Sequence, residues 1–216
     1  MIKKLMKSVL CTAMALTALV CTGCENKTAE EELDEKPVIY LYPTTTTKVN
    51  VQLEYSGELT CTYPEYGEDG WTVTAGYDGT LYDSDYKEYS YLYWEGRSTA
   101  QYDFTTGFCV RGEDTAMFLE DALDQLGLNR KEANEFIIFW LPKMQGNAYN
   151  LISFQSDAYT ESAKLNITPE PDTVIRVFMA WKALDEPVEI AAQVLTAPTR
   201  TGFTVVEWGG SNRTGQ

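Results

Sequence analysis

Val49, Val51, Leu53 and Tyr55 alternate with Asn50, Gln52 and Glu54. A period of two puts one set on a core and the other in water, so this stretch can only be a half-buried strand. The texture extends over most of residues 37–111. The run VIYLY at 38–42 is a compact apolar strand stopped by Pro43. Gly57, Gly67, Gly70, Gly76 and the Asp78-Gly79 pair punctuate further short strands, and Asp-Gly favours a hairpin turn. Tyr89, Tyr91 and Tyr93 are expected on one face of a strand, with Leu92 and Trp94 on the other.

The pattern then changes period. Glu113-Asp114-Thr115 opens an amphipathic helix with Met117, Phe118, Ala122, Leu123 and Leu126 on its apolar side, and Gly127 ends it. Asn129 followed by Glu132 has the spacing of a capping box and starts a second helix. The bulky run FIIFWL at 136–141 reads as a buried strand ending at Pro142. Strands are expected again at 151–155, at 174–181 as a central strand covered on both faces, and at 203–208. The polar residues from Ser211 read as a loose tail. Strands, then helices, then strands predict an α+β fold, sheet-dominated (antiparallel or mixed), with a central helical pair at about 113–135.

The N-terminus is an address. Lys3, Lys4 and Lys7 precede an apolar run over 9–20, shorter than the roughly 20 residues of a membrane span. Gly23-Cys24 resembles a lipobox, so residues 1–23 are expected to be a lipoprotein-type signal peptide and Cys24 the lipidation site. Cleavage there removes three lysines and no acid, taking the formal charge from −15 to −18. A body this acidic excludes nucleic acid as a partner. An anionic bilayer would also repel it, so membrane attachment requires the lipid on Cys24. Residues 24–36 are expected to be an acidic tether, 37–210 a single globular unit (β-rich half 37–111, α+β half 112–210) and 211–216 a tail. The setting is the outer face of a bacterial cytoplasmic membrane or the cell surface.

The phrases KPVIYLYP (36–43), YLYWEG (91–96), GFCVRGEDT (107–115), NEFIIFWLPKM (134–144) and GFTVVEWGG (202–210) resemble those of a family of uncharacterised secreted bacterial proteins and lipoproteins. The resemblance spans the chain beyond Lys36. It implies one co-folding unit in a bacterial envelope and supplies neither an activity nor site residues.

The chain contains no histidine, which excludes imidazole-activated nucleophiles and imidazole metal ligands. No cofactor is expected. Carboxylates are left as the acid–base groups. Glu95 beside Trp94, Glu207 beside Trp208, and Glu135 are the catalytic candidates for a carboxylate-dependent hydrolase of envelope or dietary polymers. Asp78, Asp83, Asp85 and Glu88 are close enough in sequence to be weak calcium candidates, without EF-hand spacing. Export permits a Cys61–Cys109 disulfide, whose loop of about 50 residues would stabilise by about 3–4 kcal/mol. The 27 aromatic residues (5 Trp, 14 Tyr, 8 Phe) carry more information. Tyr89, Tyr91, Tyr93 and Trp94 form a candidate binding platform for a glycan or peptide. A non-enzymatic, surface-tethered binding or envelope-associated module is the leading expectation.

Overall fold

The computed structural model describes residues 31–214; the expected signal peptide, Cys24 and most of the expected tether lie outside it. Its elements run β1 (Glu32–Tyr42), β2 (Thr47–Tyr55), β3 (Gly57–Tyr63), β4 (Trp71–Ala75), β5 (Leu81–Tyr82), β6 (Glu88–Tyr89), β7 (Leu92–Ser98) and β8 (Phe108–Arg111). After a short 3-10 turn come α1 (Thr115–Gln125), α2 (Arg130–Met144), β9 (Tyr149–Gln155), α3 (Asp157–Ser162), β10 (Ala163–Thr168), β11 (Thr173–Leu184) and β12 (Thr204–Asn212). The protein is α+β and sheet-dominated. No helix among the described residues is long and apolar enough to cross a membrane.

Two sheets form. A seven-stranded mixed sheet has the order β3-β7-β1-β12-β11-β9-β8, and a five-stranded sheet has the order β10-β2-β4-β5-β6. Among the described strands only β11 and β12 pair in parallel. Alternation along the central strands sorts side chains into two cores. Val38, Tyr40, Val206, Trp208, Val177 and Met179 meet the helices. Ile39, Leu41, Val205, Phe178, Leu92 and Trp94 meet the second sheet through Val49, Val51 and Val73. The large sheet is therefore the middle of three layers, which is why β11 is apolar on both faces.

The helical pair is longer than its sequence pattern predicts. Asn129 accepts from the Glu132 amide, and Glu132 accepts in return from the Asn129 amide, closing the expected capping box. The helix it starts does not stop at 135. Residues 136–141, expected as a strand, are helical, because Ala133, Phe136, Trp140 and Met144 make a helix-period stripe on the sheet. Bulk and branching suggest a strand locally; burial of that stripe, about 2–3 kcal/mol for each large side chain, decides for the helix. Pro142 falls in the last turn, where one lost backbone hydrogen bond is tolerable. Gly210, facing this stripe, leaves room for the Trp140 ring: a Cβ there would sit 2.7 Å from it. On α1 the buried stripe is Thr115, Leu119, Ala122 and Leu123, while Met117 turns outward at 64% exposure. Gly127 ends the turn with a positive φ of 84°.

Both ends of the globular unit lie further out than expected. Strand β1 begins at Glu32, so residues 32–36 of the expected tether belong to the sheet. The expected loose tail also starts too early. The parallel pairing of β11 and β12 continues to Trp181 and Asn212, and Ser211 Oγ donates to the Leu33 carbonyl at 2.7 Å. Arg213 is 1% exposed. Polar composition misleads here because these groups are drawn inside the fold, Arg213 lying 3.7 Å from Asp34 and over the Tyr102 ring at 4.4 Å.

Candidate ligand pocket beside Lys36

The pocket begins with a fault in β1. Its register against β7 slips between Asp34 and Val38, and against β12 between Glu35 and Val38. Such a bulge reverses the side-chain alternation. Asp34 faces the second sheet, whereas Val38 and Tyr40 face the helices. Lys36 makes the reversal in a left-handed conformation, φ 59°, where glycine is the usual residue.

The bulge directs the Lys36 side chain at two tyrosines of the neighbouring strand. Its Nζ donates to Tyr91 Oη at 3.2 Å and lies 4.9 Å and 5.3 Å from the ring centroids of Tyr91 and Tyr93. Its backbone amide donates to Glu95 Oε1 at 3.3 Å. Tyr91 meets Tyr40 edge-on at 5.3 Å, and Tyr40 Oη donates to Glu135 Oε2 at 3.0 Å. Helix α2 supplies Glu135, Ile138 and Phe139 from one surface by their i, i+3, i+4 spacing. Together with Lys36, Ser90 and Tyr91 they line a pocket of about 460 Å³.

The charges in it are unusual. Among the described residues no carboxylate comes within 4 Å of Lys36 Nζ, and no cation comes within 4 Å of the Glu135 carboxylate. The adjacent Lys143, by contrast, pairs with Glu35 and lies over Phe139 at 4.2 Å. Burial pushes the Tyr40 phenol above its ordinary range, and the Glu135 charge pushes it further, so Tyr40 stays a donor. Burial, reinforced by Glu95, does the same at Tyr93. The pocket thus offers one cation, one anion and an aromatic wall.

A protein described as "Uncharacterized protein in bglA 3'region", from Butyrivibrio fibrisolvens, is 42% identical to this chain over 78 residues, covering 35% of this chain and 78% of the relative. The chain belongs to that protein's family. No family profile and no solved structure matches it.

In this family member, four candidate residues read from sequence gather at the pocket: Tyr91 and Glu135 in its wall, Tyr93 and Glu95 beside it. Others do not. Trp94 is fully buried and donates its indole N–H to Glu207 Oε1 at 3.2 Å, so it presents no surface to a ligand. Tyr89 belongs to the other sheet, in β6, where its hydroxyl donates to Asp83; the tyrosine alternation breaks between Tyr89 and Tyr91 because the chain changes sheets there. Glu207 is fully buried, with Arg176 Nε on its second oxygen at 2.6 Å. It faces the second sheet with Trp94, whereas Glu95 shares the opposite face with Tyr93. The two acids cannot flank one bond, which removes them as a hydrolytic pair.

The acidic turn residues close turns. Asp78 accepts from the Thr80 amide, Asp83 from the amides of Asp85 and Lys87, and Glu88 from Tyr82. Asp85 is exposed in the same turn. Among the described residues no three acidic or cysteine side chains converge as a metal site. Cys61 and Cys109 are both free. They lie on β3 and β8, the opposite edges of the large sheet, about 29 Å apart across six strand spacings. A disulfide needs Cα atoms within about 7 Å, so the bridge that export would permit does not form within the chain. Sequence reading missed Lys36, Ser90, Ile138 and Phe139. The last two were hidden by the strand assignment, and Lys36 by its place in an acidic run.

Proposed function

We propose that this protein is an exported, lipid-anchored binding module of a bacterial envelope, without catalysis of its own, held by diacylation of Cys24 and displaying the Lys36 pocket to a glycan or peptide. The carrying observation is the concave wall made by Tyr91, Phe139 and Ile138 with Lys36 and Glu135 at its margins. A rigid aromatic surface with few placed polar groups suits small polar ligands. The strongly acidic body keeps the module off anionic headgroups, and two acyl chains are the attachment that makes a surface position stable.

Two measurements test it. Fatty-acid labelling of cells expressing the full chain should mark the wild type and not Cys24→Ser. The soluble form beginning after Cys24 should bind members of an array of wall fragments, oligosaccharides and peptides, with binding weakened at least tenfold by Tyr91→Ala. An array silent for the wild type, or hits indifferent to Tyr91→Ala, would refute the assignment of the pocket.

A further inference from the structure

Resting on the binding-module reading, we infer that the Lys36 pocket takes a zwitterion: a free amino acid or short peptide carrying both a carboxylate and an ammonium group. Lys36 and Glu135 line one cavity, carry opposite charge, and are each left without a counter-ion within 4 Å among the described residues. Four other cations drawn into this fold are answered by acids: Arg176 by Glu207, Arg200 by Glu132, Arg213 by Asp34, and Lys143 by Glu35. Acids outnumber bases 32 to 17 in the chain, yet the half-buried Lys36 has a phenol and two ring faces against its ammonium and no acid within 4 Å among the described residues.

Partly desolvated charges cost free energy unless something completes them. Here the two charges are held apart by the Tyr91–Tyr40 contact, which spans from the Lys36 ammonium to the Glu135 carboxylate. A ligand carboxylate meets Lys36, a ligand ammonium meets Glu135, and the body between them lies on Tyr91 and Phe139. Ile138, 73% exposed, adds an apolar lip. A volume of about 460 Å³ has room for a dipeptide and falls within the usual range for small-ligand sites, about 300–1,000 Å³. A neutral sugar would leave both charges unanswered, and an acidic sugar would leave one. The net negative field also favours the approach of the ammonium end.

Calorimetric titration with alanyl-phenylalanine, its N-acetyl form, its C-terminal amide and a neutral glucose trisaccharide tests this. The free dipeptide should bind, with at least tenfold weaker binding on blocking either end. Lys36→Gln should erase the difference between free acid and amide, while Glu135→Gln should erase that between free amine and acetyl. Circular dichroism and melting confirm that both variants fold. Equal binding of blocked and free peptides, or binding of the trisaccharide alone in a Tyr91-dependent way, overturns the zwitterion assignment and leaves the binding module standing. If none of the four probes binds at millimolar concentration the assignment fails; a silent array would take the wider reading with it.

Discussion

The two faces of the seven-stranded sheet differ in how fully their charges are answered. Between the sheets, ionic groups are buried or nearly so, and each lies against one of opposite charge. Glu207, fully buried, meets Arg176, whose guanidinium also lies 4.8 Å from the Tyr159 ring. Asp34, equally buried, accepts from Tyr55 and Tyr102 and lies 3.7 Å from Arg213. These clusters join the first strand to the last residues of the fold. On the helix face Glu132 is buried against Arg200 and Lys143 pairs with Glu35, but at the margin Lys36 and Glu135 stand half-buried with no counter-ion within 4 Å among the described residues. Matched buried charges fix which chain segments assemble, whereas unmatched marginal charges are available to something outside the chain.

Removing one member of a matched pair should give the largest effect. Glu207→Gln leaves the Arg176 guanidinium buried without its countercharge and is expected to cost about 3–5 kcal/mol in urea unfolding. In the wild type Glu207, with Tyr159, more than reverses the lowering that burial imposes on Arg176; in the variant the arginine still keeps its proton, because a guanidinium is too basic to lose it in a protein. Replacing both residues by apolar ones of similar volume should recover most of the loss. Ligand binding by the folded fraction should be unchanged, because Glu207 and the pocket lie on different faces. A Glu207→Gln protein as stable as the wild type would show that the pair is not sealed between the sheets.

A second, smaller contrast is readable through pH. Burial raises the pKa of Asp34 above its ordinary 3.8, against the lowering effects of Tyr55, Tyr102 and Arg213. A raised carboxyl binds its proton more tightly folded than unfolded. Its contribution to stability is therefore complete below the ordinary carboxylate pKa and is lost as pH rises through the folded value. Urea unfolding of the wild type across the acid range should show stability falling with rising pH more steeply than Asp34→Asn. Parallel curves for the two proteins would mean that Asp34 is solvated.

The same division explains what could be read from sequence. The alternation at 49–55, the apolar run of β11 and the Asn129–Glu132 cap are local signals, and each became the element it suggests. Residues 136–141 point to a strand in sequence because their bulk and branching favour one locally. Only the sheet beneath, with Gly210 opening a seat for Trp140, selects the helix. Tyr91, Tyr93, Glu95 and Glu135 could be nominated by residue type. Their convergence could not, since it depends on a bulge that leaves no period in the sequence and on a change of sheet between Tyr89 and Tyr91. Glu207 illustrates the converse. An acid beside tryptophan looks the same in sequence whether its partner is solvent or a buried arginine.

The bulge supplies the smallest and most discriminating test. At an ordinary strand position alanine is more stable than glycine by about 0.5–1 kcal/mol, because glycine has more conformational freedom to lose. At φ 59° a Cβ costs about 1–2 kcal/mol, which should reverse the order. Lys36→Ala keeps the strain and forfeits the contacts with Tyr91 and Tyr93. Lys36→Gly forfeits the same contacts but relieves the strain. We expect the glycine variant to exceed the alanine variant by about 1 kcal/mol in urea unfolding, with both losing discrimination for a ligand carboxylate. The usual order, alanine above glycine, would mean that Lys36 is not in the left-handed conformation. The switch of β1 from the inter-sheet face to the helix face would then have to occur elsewhere, and the lysine would no longer be held against the two rings.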